Sequence, residues 1–285
     1  MPQPVTATTA TLVDAGGFSF DQLANIYNAS RIDYIVPMPM NAQRMREYVR
    51  FYDVDLNASF VVQNARQKQK YIGIGMLGLR QERAWVTRVG ILPESRGQHV
   101  GQLVIGKLFD AAQERGAQRV QLEVIEGNEP AIKLFRKFGF EPIRNLLVLR
   151  RAPHAVEPLP ESVIVTALPE DAIQASLRTR SETMSWLDET ASLINAGNLE
   201  GLSVILPDGA EGWLVFRNTL LQITHVVIHA PNDEVAAALL RALYIYYPRH
   251  DTKLENLDAD SPLWPVLQTF GYGESFRRIE MVKQF

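Results

Sequence analysis

Two segments in opposite halves of the chain follow the same plan, and this repetition constrains the fold more than any other feature. FRKFGF, Phe135 to Phe140, has the pattern of a helix end running into Gly139-Phe140 and on to Arg150. LQTFGY, Leu267 to Tyr272, leads through Gly271-Tyr272 to Met281 at nearly the same spacing. Upstream, GILP (Gly90 to Pro93) and VVIHAP (Val226 to Pro231) each end a strand-like run in a proline just before a helical pattern. Self-similarity over this length means a repeated structural unit. The 285 residues hold two ordinary domains at roughly 100 to 200 residues each. The expected architecture is α/β with a mixed sheet, in two tandem copies of which the second is shortened.

Between the copies lies RAPHAVEPLPES, Arg151 to Ser162, whose three prolines exclude a helix interior and favour extended chain. This places a first domain at 1–151, a Pro-rich linker at 152–162 and a second domain at 163–285. In the first domain, Phe20 to Arg31 and Asn41 to Tyr52 space apolar residues as helices do. Ser59 to Val62, Tyr71 to Leu79 and Ala84 to Leu92 follow as strands. A helix from Val100 stops at Gly116, VQLEV forms a strand, and Glu129 to Phe138 forms a helix ended by Gly139. Leu146 to Leu149 closes the domain.

Composition narrows the function classes. With 46% apolar and 21% charged residues the chain is that of a globular protein with sizeable cores. Its 29 Lys plus Arg against 32 Asp plus Glu give a charge of −3, with no basic block, so a partner bound mainly through nucleic-acid phosphates is not expected. There is no cysteine, which removes disulfides, thiolate zinc sites and Cys nucleophiles and fits a reducing compartment. The N-terminus has no Lys or Arg before Arg31 and no signal-type apolar core, and no apolar run reaches the roughly 20 residues that span a bilayer. A cytoplasmic protein without membrane partners is expected. His99, His154, His225, His229 and His250 never fall in a metal-binding spacing, so no metal is expected; His225 and His229 share a strand face but stand too far apart to chelate easily. Tyr244, Tyr246 and Tyr247 are expected to pack in a core or interface.

The segment GILPESRGQHVGQLVIGKL, Gly90 to Leu108, is a strand that stops at Pro93 and continues as a helix through a Gly-containing turn. A helix N-terminus presents unpaired N–H groups and the positive end of its dipole. Gly97 and Gly101 let the backbone approach an anion, and Arg96 adds a permanent charge suited to pyrophosphate. A plain strand-to-helix turn with an exposed Arg would use the same residues. Neither G-x-x-x-x-G-K-[ST] nor G-x-G-x-x-G occurs, which sets aside P-loop and Rossmann nucleotide binding.

This segment resembles the GNAT superfamily of N-acetyltransferases, whose [QR]-x-x-G-x-[GA] turn opens a helix and is read here as Arg96-Gly97-Gln98-His99-Val100-Gly101, with His99 in place of the central glycine. The family's further A-x-x-L-[YF]-x-x-x-G-F pattern after an Asn appears as Asn128, Ala131, Leu134, Phe135, Gly139 and Phe140. The resemblance covers roughly Ala84 to Arg151. It implies acetyl-CoA as co-substrate, with pyrophosphate on the backbone amides of the turn, a group spanning Arg96 to Gly101 and Gln102. It also implies parallel strands Val86 to Leu92 and Val120 to Val124 that splay apart to admit the pantetheine arm. Gly90, Ile91 and Leu92 would pair with that arm, and Asn128 and Phe135 would line its sulfur end. Core packing is the commoner fate of a Phe, and Phe135 could serve both ends.

The chemistry implied is acetyl transfer to an amine of a small molecule or peptide. An alkylammonium with a pKa near 10 must first lose a proton. Glu123, on the strand beside the splay with Gln121 on the same face, is the candidate base, and Glu82 and Asp33 are weaker ones. IDYIVPMPM, Ile32 to Met40, is expected to border the acceptor pocket. Phe135 stands where the family often has a Tyr that protonates the leaving thiolate, and Phe cannot donate a proton. A non-catalytic acyl-CoA-binding or sensory protein is therefore the alternative, and a dimerisation module a third; a homodimer fits any of them. After Pro231 the second copy supplies Asn232, Asp233, Glu234 and Val235 with no glycine or arginine, so its phosphate site is expected to be lost.

Overall fold

The computed structural model describes residues 10–180 and 184–285. The described residues form two compact units, one running to residue 143 and taking in 280–285, and one within 144–279.

The first unit runs β1 (Ala10–Asp14), α1 (Phe20–Ser30), α2 (Ala42–Phe51), β2 (Phe60–Asn64), β3 (Tyr71–Arg80), β4 (Arg83–Ile91), α3 (Val100–Glu114), β5 (Arg119–Ile125) and α4 (Glu129–Lys137). β1 to β4 form an antiparallel meander and β5 joins β4 in parallel. Side-chain caps fix where the helices begin. Ser19 and Gln22 exchange bonds in a capping box at α1, Asn41 accepts from the Arg44 amide at α2, and Asn128 accepts from the Ala131 amide at α4. Each such cap stabilises its helix by about 1 kcal/mol. α3 buries Val104, Ile105, Leu108, Phe109 and Ala112 and lies so close on β3 that a Cβ at Gly75 would stand 2.5 Å from Val104 Cγ1.

The second unit contains most of β6 (Glu141–Arg151), then β7 (Ile164–Ala167), α5 (Glu170–Arg178), α6 (Thr190–Ala196), β8 (Leu199–Ile205), β9 (Glu211–Asn218), β10 (Gln222–His229), α7 (Asp233–Tyr246), β11 (Asp251–Asp258), α8 (Leu263–Thr269) and most of β12 (Gly273–Gln284). Its sheet repeats the plan of the first, with a meander β7 to β10 and a parallel β10–β11 pair. α7 supplies the core with Leu239, Leu240, Leu243 and Tyr244 against Leu214 and Phe216. The tandem α/β arrangement read from the sequence is what the chain folds into. The repeat lies in β10–α7–β11–α8–β12 against β4–α3–β5–α4–β6.

The units divide at Ile143/Arg144 and at Ile279/Glu280, whereas the Pro-rich composition marks 152–162. Residues 152–162 carry no helix or strand, yet Val156 and Leu159 pack on the core of the second unit and Arg151 donates to the His154 carbonyl. Prolines mark extended chain, not the place where packing stops. The first unit takes in the end of β12 instead, where the Phe285 amide donates to the Gln118 carbonyl and the rings of Phe285 and Phe109 lie 6.0 Å apart.

β4 and β5 pair only from Arg83 to Trp85 with Arg119 to Gln121, then separate. A bulge lies where they part. The β3–β4 register slips between Thr87 and Gly90, and Arg88 takes φ 52°. The second unit repeats both features, with β10–β11 pairing limited to Gln222 and Ile223 and a bulge at His225, φ 53°.

Candidate functional site

Past the end of β4 the chain makes a short 3₁₀ turn at Pro93–Ser95, passes Gly97 at φ 75° and His99 at φ 60°, and enters α3 at Val100. The Leu103 amide makes the first helical bond, to the His99 carbonyl. The amides of Val100, Gly101 and Gln102 therefore have no acceptor within the helix. No side chain caps α3, in contrast to α1, α2 and α4. His99 holds a left-handed conformation that costs a non-glycine residue roughly 1–2 kcal/mol, strain stored at the turn itself.

This turn opens on a cavity of about 740 Å³ between the end of β4 and the start of α4. Of the residues expected to hold acetyl-CoA, Gly90, Ile91, Arg96, Gly97, His99, Val100, Gly101, Gln102 and Asn128 line it. Leu92, Gln98 and Phe135 do not. The Leu92 amide is engaged with the Ile72 carbonyl, Gln98 donates to the Glu94 carbonyl, and Phe135 is buried edge-to-face on Phe140 at 5.8 Å.

The Arg96 guanidinium is already held. It makes two 2.7 Å contacts to the Asp33 carboxylate and donates to the carbonyls of Ile91 and Ser30. The Arg96 bond holds the Asp33 carboxyl below its ordinary pKa, and Asp33 in turn raises that of Arg96. Asp33 thus serves the turn's arginine.

The segment Ser30 to Ile35 supplies the remaining wall. Ser30 sits against β4 so tightly that a Cβ at Gly90 would collide with its Oγ. Arg31 donates to the Val89 carbonyl at 3.3 Å and lies 3.4 Å from the centre of the Tyr34 ring. The Asn128 amide nitrogen donates to the Tyr34 hydroxyl at 3.4 Å. The sequence marks this loop but gives no sign of Ser30, Arg31 or Tyr34 as wall residues, since Val89, Gly90 and Asn128, which they meet, stand far away along the chain.

Glu123 is outside this cavity. Its carboxylate accepts the indole N–H of Trp85 at 2.7 Å, on the sheet face against which α2 packs Tyr48, itself bonded to Thr87. The Arg88 guanidinium lies 4.0 Å over the Tyr48 ring and donates to the Tyr27 hydroxyl. Burial pushes the Tyr48 phenol up to about 12, so it stays protonated at neutral pH. Glu82 lies in the turn before β4, at the strand's opposite end from Gly90.

In the second unit the equivalent turn is short. Asn232 accepts from the Val235 amide at 2.9 Å, and Asp233 and Glu234 occupy the first turn of α7. The donors that α3 leaves open are here partly satisfied by protein. No group of three or more potential metal ligands occurs among the described residues, and no helix among them is long and apolar enough to cross a membrane.

The acetyltransferase (GNAT) family model matches residues 21–140. A [ribosomal protein bS18]-alanine N-acetyltransferase from Haemophilus influenzae is 26% identical over 113 residues, 34% of this chain and 77% of that protein. With curated relatives at 30% identity or more, the chain spans less than half of their length. Two solved structures share the fold along nearly the whole chain. A GCN5-related N-acetyltransferase from Sphaerobacter thermophilus aligns over 98% of this chain and 96% of its own, at TM-score 0.72 and 17% identity. A tandem GNAT protein from the clavulanic acid biosynthesis pathway aligns over 96% and 98%, at TM-score 0.68 and 12% identity.

Proposed function

Residues 21–140 belong to the acetyltransferase (GNAT) family, and from that premise we propose that the chain transfers an acetyl group from acetyl-CoA to a primary amine of a small molecule or peptide, with the active site in the first unit. The observation that carries this reading is the uncapped start of α3 facing the cavity beside the end of β4. Three acceptor-less amides and the positive end of a fifteen-residue helix suit a pyrophosphate. Past Trp85 the edge of β4 is no longer paired with β5, which suits a pantetheine arm lying there in the manner of an added strand, beside the Val89 and Ile91 carbonyls that Arg31 and Arg96 hold.

Transfer requires a neutral amine, and Glu123 is the base we assign to it, acting directly or through water from the sheet face where it holds Trp85 under Tyr48 of α2. The test is a screen of amines, antibiotics and peptides with acetyl-CoA, following thiol release. Acceptor-dependent thiol release from the intact chain supports the proposal. Saturable acetyl-CoA binding with no release across the panel supports a second reading, an acyl-CoA-binding protein without turnover, which the buried and hydroxyl-free Phe135 favours.

A further inference from the structure

We propose that Tyr34 protonates the leaving sulfur of CoA, a role for which α4 offers no hydroxyl. The inference rests on the acetyl-transfer reading and adds to it a second catalytic residue, supplied by the segment between α1 and α2.

When the tetrahedral intermediate collapses, the carbon–sulfur bond breaks and its electron pair goes to sulfur. With a thiol pKa near 8.5, that sulfur takes up a proton at neutral pH. Phe135 cannot provide it, having no hydroxyl and packing on Phe140 outside the cavity. Among the described residues lining the cavity, Tyr34 carries the one phenol. The Ser30 hydroxyl is spent on the Tyr27 carbonyl, His99 and Arg96 stand at the phosphate turn, and the two lysines of the lining, Lys133 and Lys137, are exposed on α4 and stay in place when Tyr34 is replaced.

Asn128 fixes which way the Tyr34 hydroxyl can act. Its Oδ1 accepts from the Ala131 amide as the cap of α4, which turns Nδ2 towards Tyr34. An amide nitrogen can only donate, so Tyr34 Oη is the acceptor in that bond and its own proton remains uncommitted. Arg31 stacks on the ring at 3.4 Å while bonded to the Val89 carbonyl at the bulge. It positions the phenol beside the end of β4 and sets a cation against the negative charge that builds on the oxygen.

The step balances. The amine, neutral once the base has taken its ammonium proton, bonds to the acetyl carbon and releases its second proton to water, sulfur leaves with the bonding pair, and the Tyr34 proton passes to sulfur. The phenolate then regains a proton from water.

The test needs no acceptor. CoA bound to the full chain is titrated from about pH 6 to about pH 10 by the ultraviolet absorbance of its thiolate, with desulfo-CoA as the blank. A phenol that donates to the sulfur lowers the pKa of the bound thiol. Tyr34→Phe should raise it by about one pH unit, a tenfold change in thiolate fraction, and leave CoA affinity within about twofold. Arg31→Gln should give a smaller shift in the same direction. With an acceptor from the screen, Tyr34→Phe should lower kcat about a hundredfold with little change in KM for acetyl-CoA. Identical thiol titrations in the two proteins, or a loss of affinity without a change in thiol pKa, overturn the assignment. A wild-type chain that binds no CoA overturns the transfer reading as well.

Discussion

Arg96 and Asp33 meet through two parallel 2.7 Å contacts, so the arginine of the turn stands charge-paired at the mouth of the cavity. Both side chains are about half exposed, which makes the pair a weak contributor to stability and a substantial one to the local field. Asp33 places a negative charge beside the amides that would receive pyrophosphate. Asp33→Asn removes that charge and keeps a hydrogen-bond acceptor for Arg96. CoA affinity should rise about threefold at low salt, and the gain should shrink towards physiological salt as screening increases. Fluorescence or calorimetric titration at two ionic strengths checks this; weaker binding in the variant would mean that Asp33 holds Arg96 in its working position.

Phe135→Tyr puts a hydroxyl into the contact with Phe140, where Phe135 is 7% exposed. A buried hydroxyl without a partner costs about 1–3 kcal/mol. The variant should melt at a lower temperature, bind CoA as before and turn over no faster. Faster turnover would mean that the ring reaches the sulfur and that Tyr34 is not the sole proton source.

Glu123→Gln keeps an acceptor for the Trp85 indole N–H and removes the basic carboxylate. If Glu123 takes the amine proton, kcat/KM should fall by about two orders of magnitude and the acid limb of its pH profile should flatten. An unaltered profile would take Glu123 out of the mechanism.

His225, at the bulge of β10, is pushed down to about 4 by burial, which the attraction of Glu255 opposes and the charges of Arg217 and Lys253 reinforce. An unfolded His titrates near 6.5, so between pH 6.5 and 4 the unfolded chain binds the proton and the folded chain does not. Stability is therefore full above that window and falls as the pH drops through it. His225→Asn, chosen because Asn tolerates the left-handed conformation, should make thermal stability less steep with pH over that range. An unchanged slope would show that other groups govern the acid limb.

What was legible in the sequence is what the chain fixes locally. Pro93 ends a strand, Gly97 and Gly101 shape a turn and Gly139 ends a helix, each within a few residues of the element it defines. The walls of the cavity are set at long range. Arg96 meets Asp33, Arg31 meets Val89 and Tyr34 meets Asn128 across two or more secondary elements, and a lone loop Asp or Tyr gives no sign of such a partner. Strand alternation placed Glu123 and Gln121 on one face, but Trp85, which engages the Glu123 carboxylate, comes from the neighbouring strand. Gly90 stands in the strand that the family resemblance assigns to ligand pairing, and its lack of a side chain also admits Ser30. β1, only Ala10 to Asp14, is too short to stand out from the polar run before it.

Calorimetric titration of the intact chain with acetyl-CoA tests the proposed site most directly. The uncapped start of α3 and the Asn232-capped, acidic start of α7 predict one site per chain. Gly101→Val places a branched side chain where even a Cβ would stand 3.3 Å from Leu134 Cδ2, beside the amides in question. It should weaken binding at least about tenfold, equivalent to 1.4 kcal/mol, in a folded protein. A stoichiometry near one that is lost in Gly101→Val is the predicted result; no saturable binding, two equivalent sites, or unchanged affinity in the folded variant would contradict it.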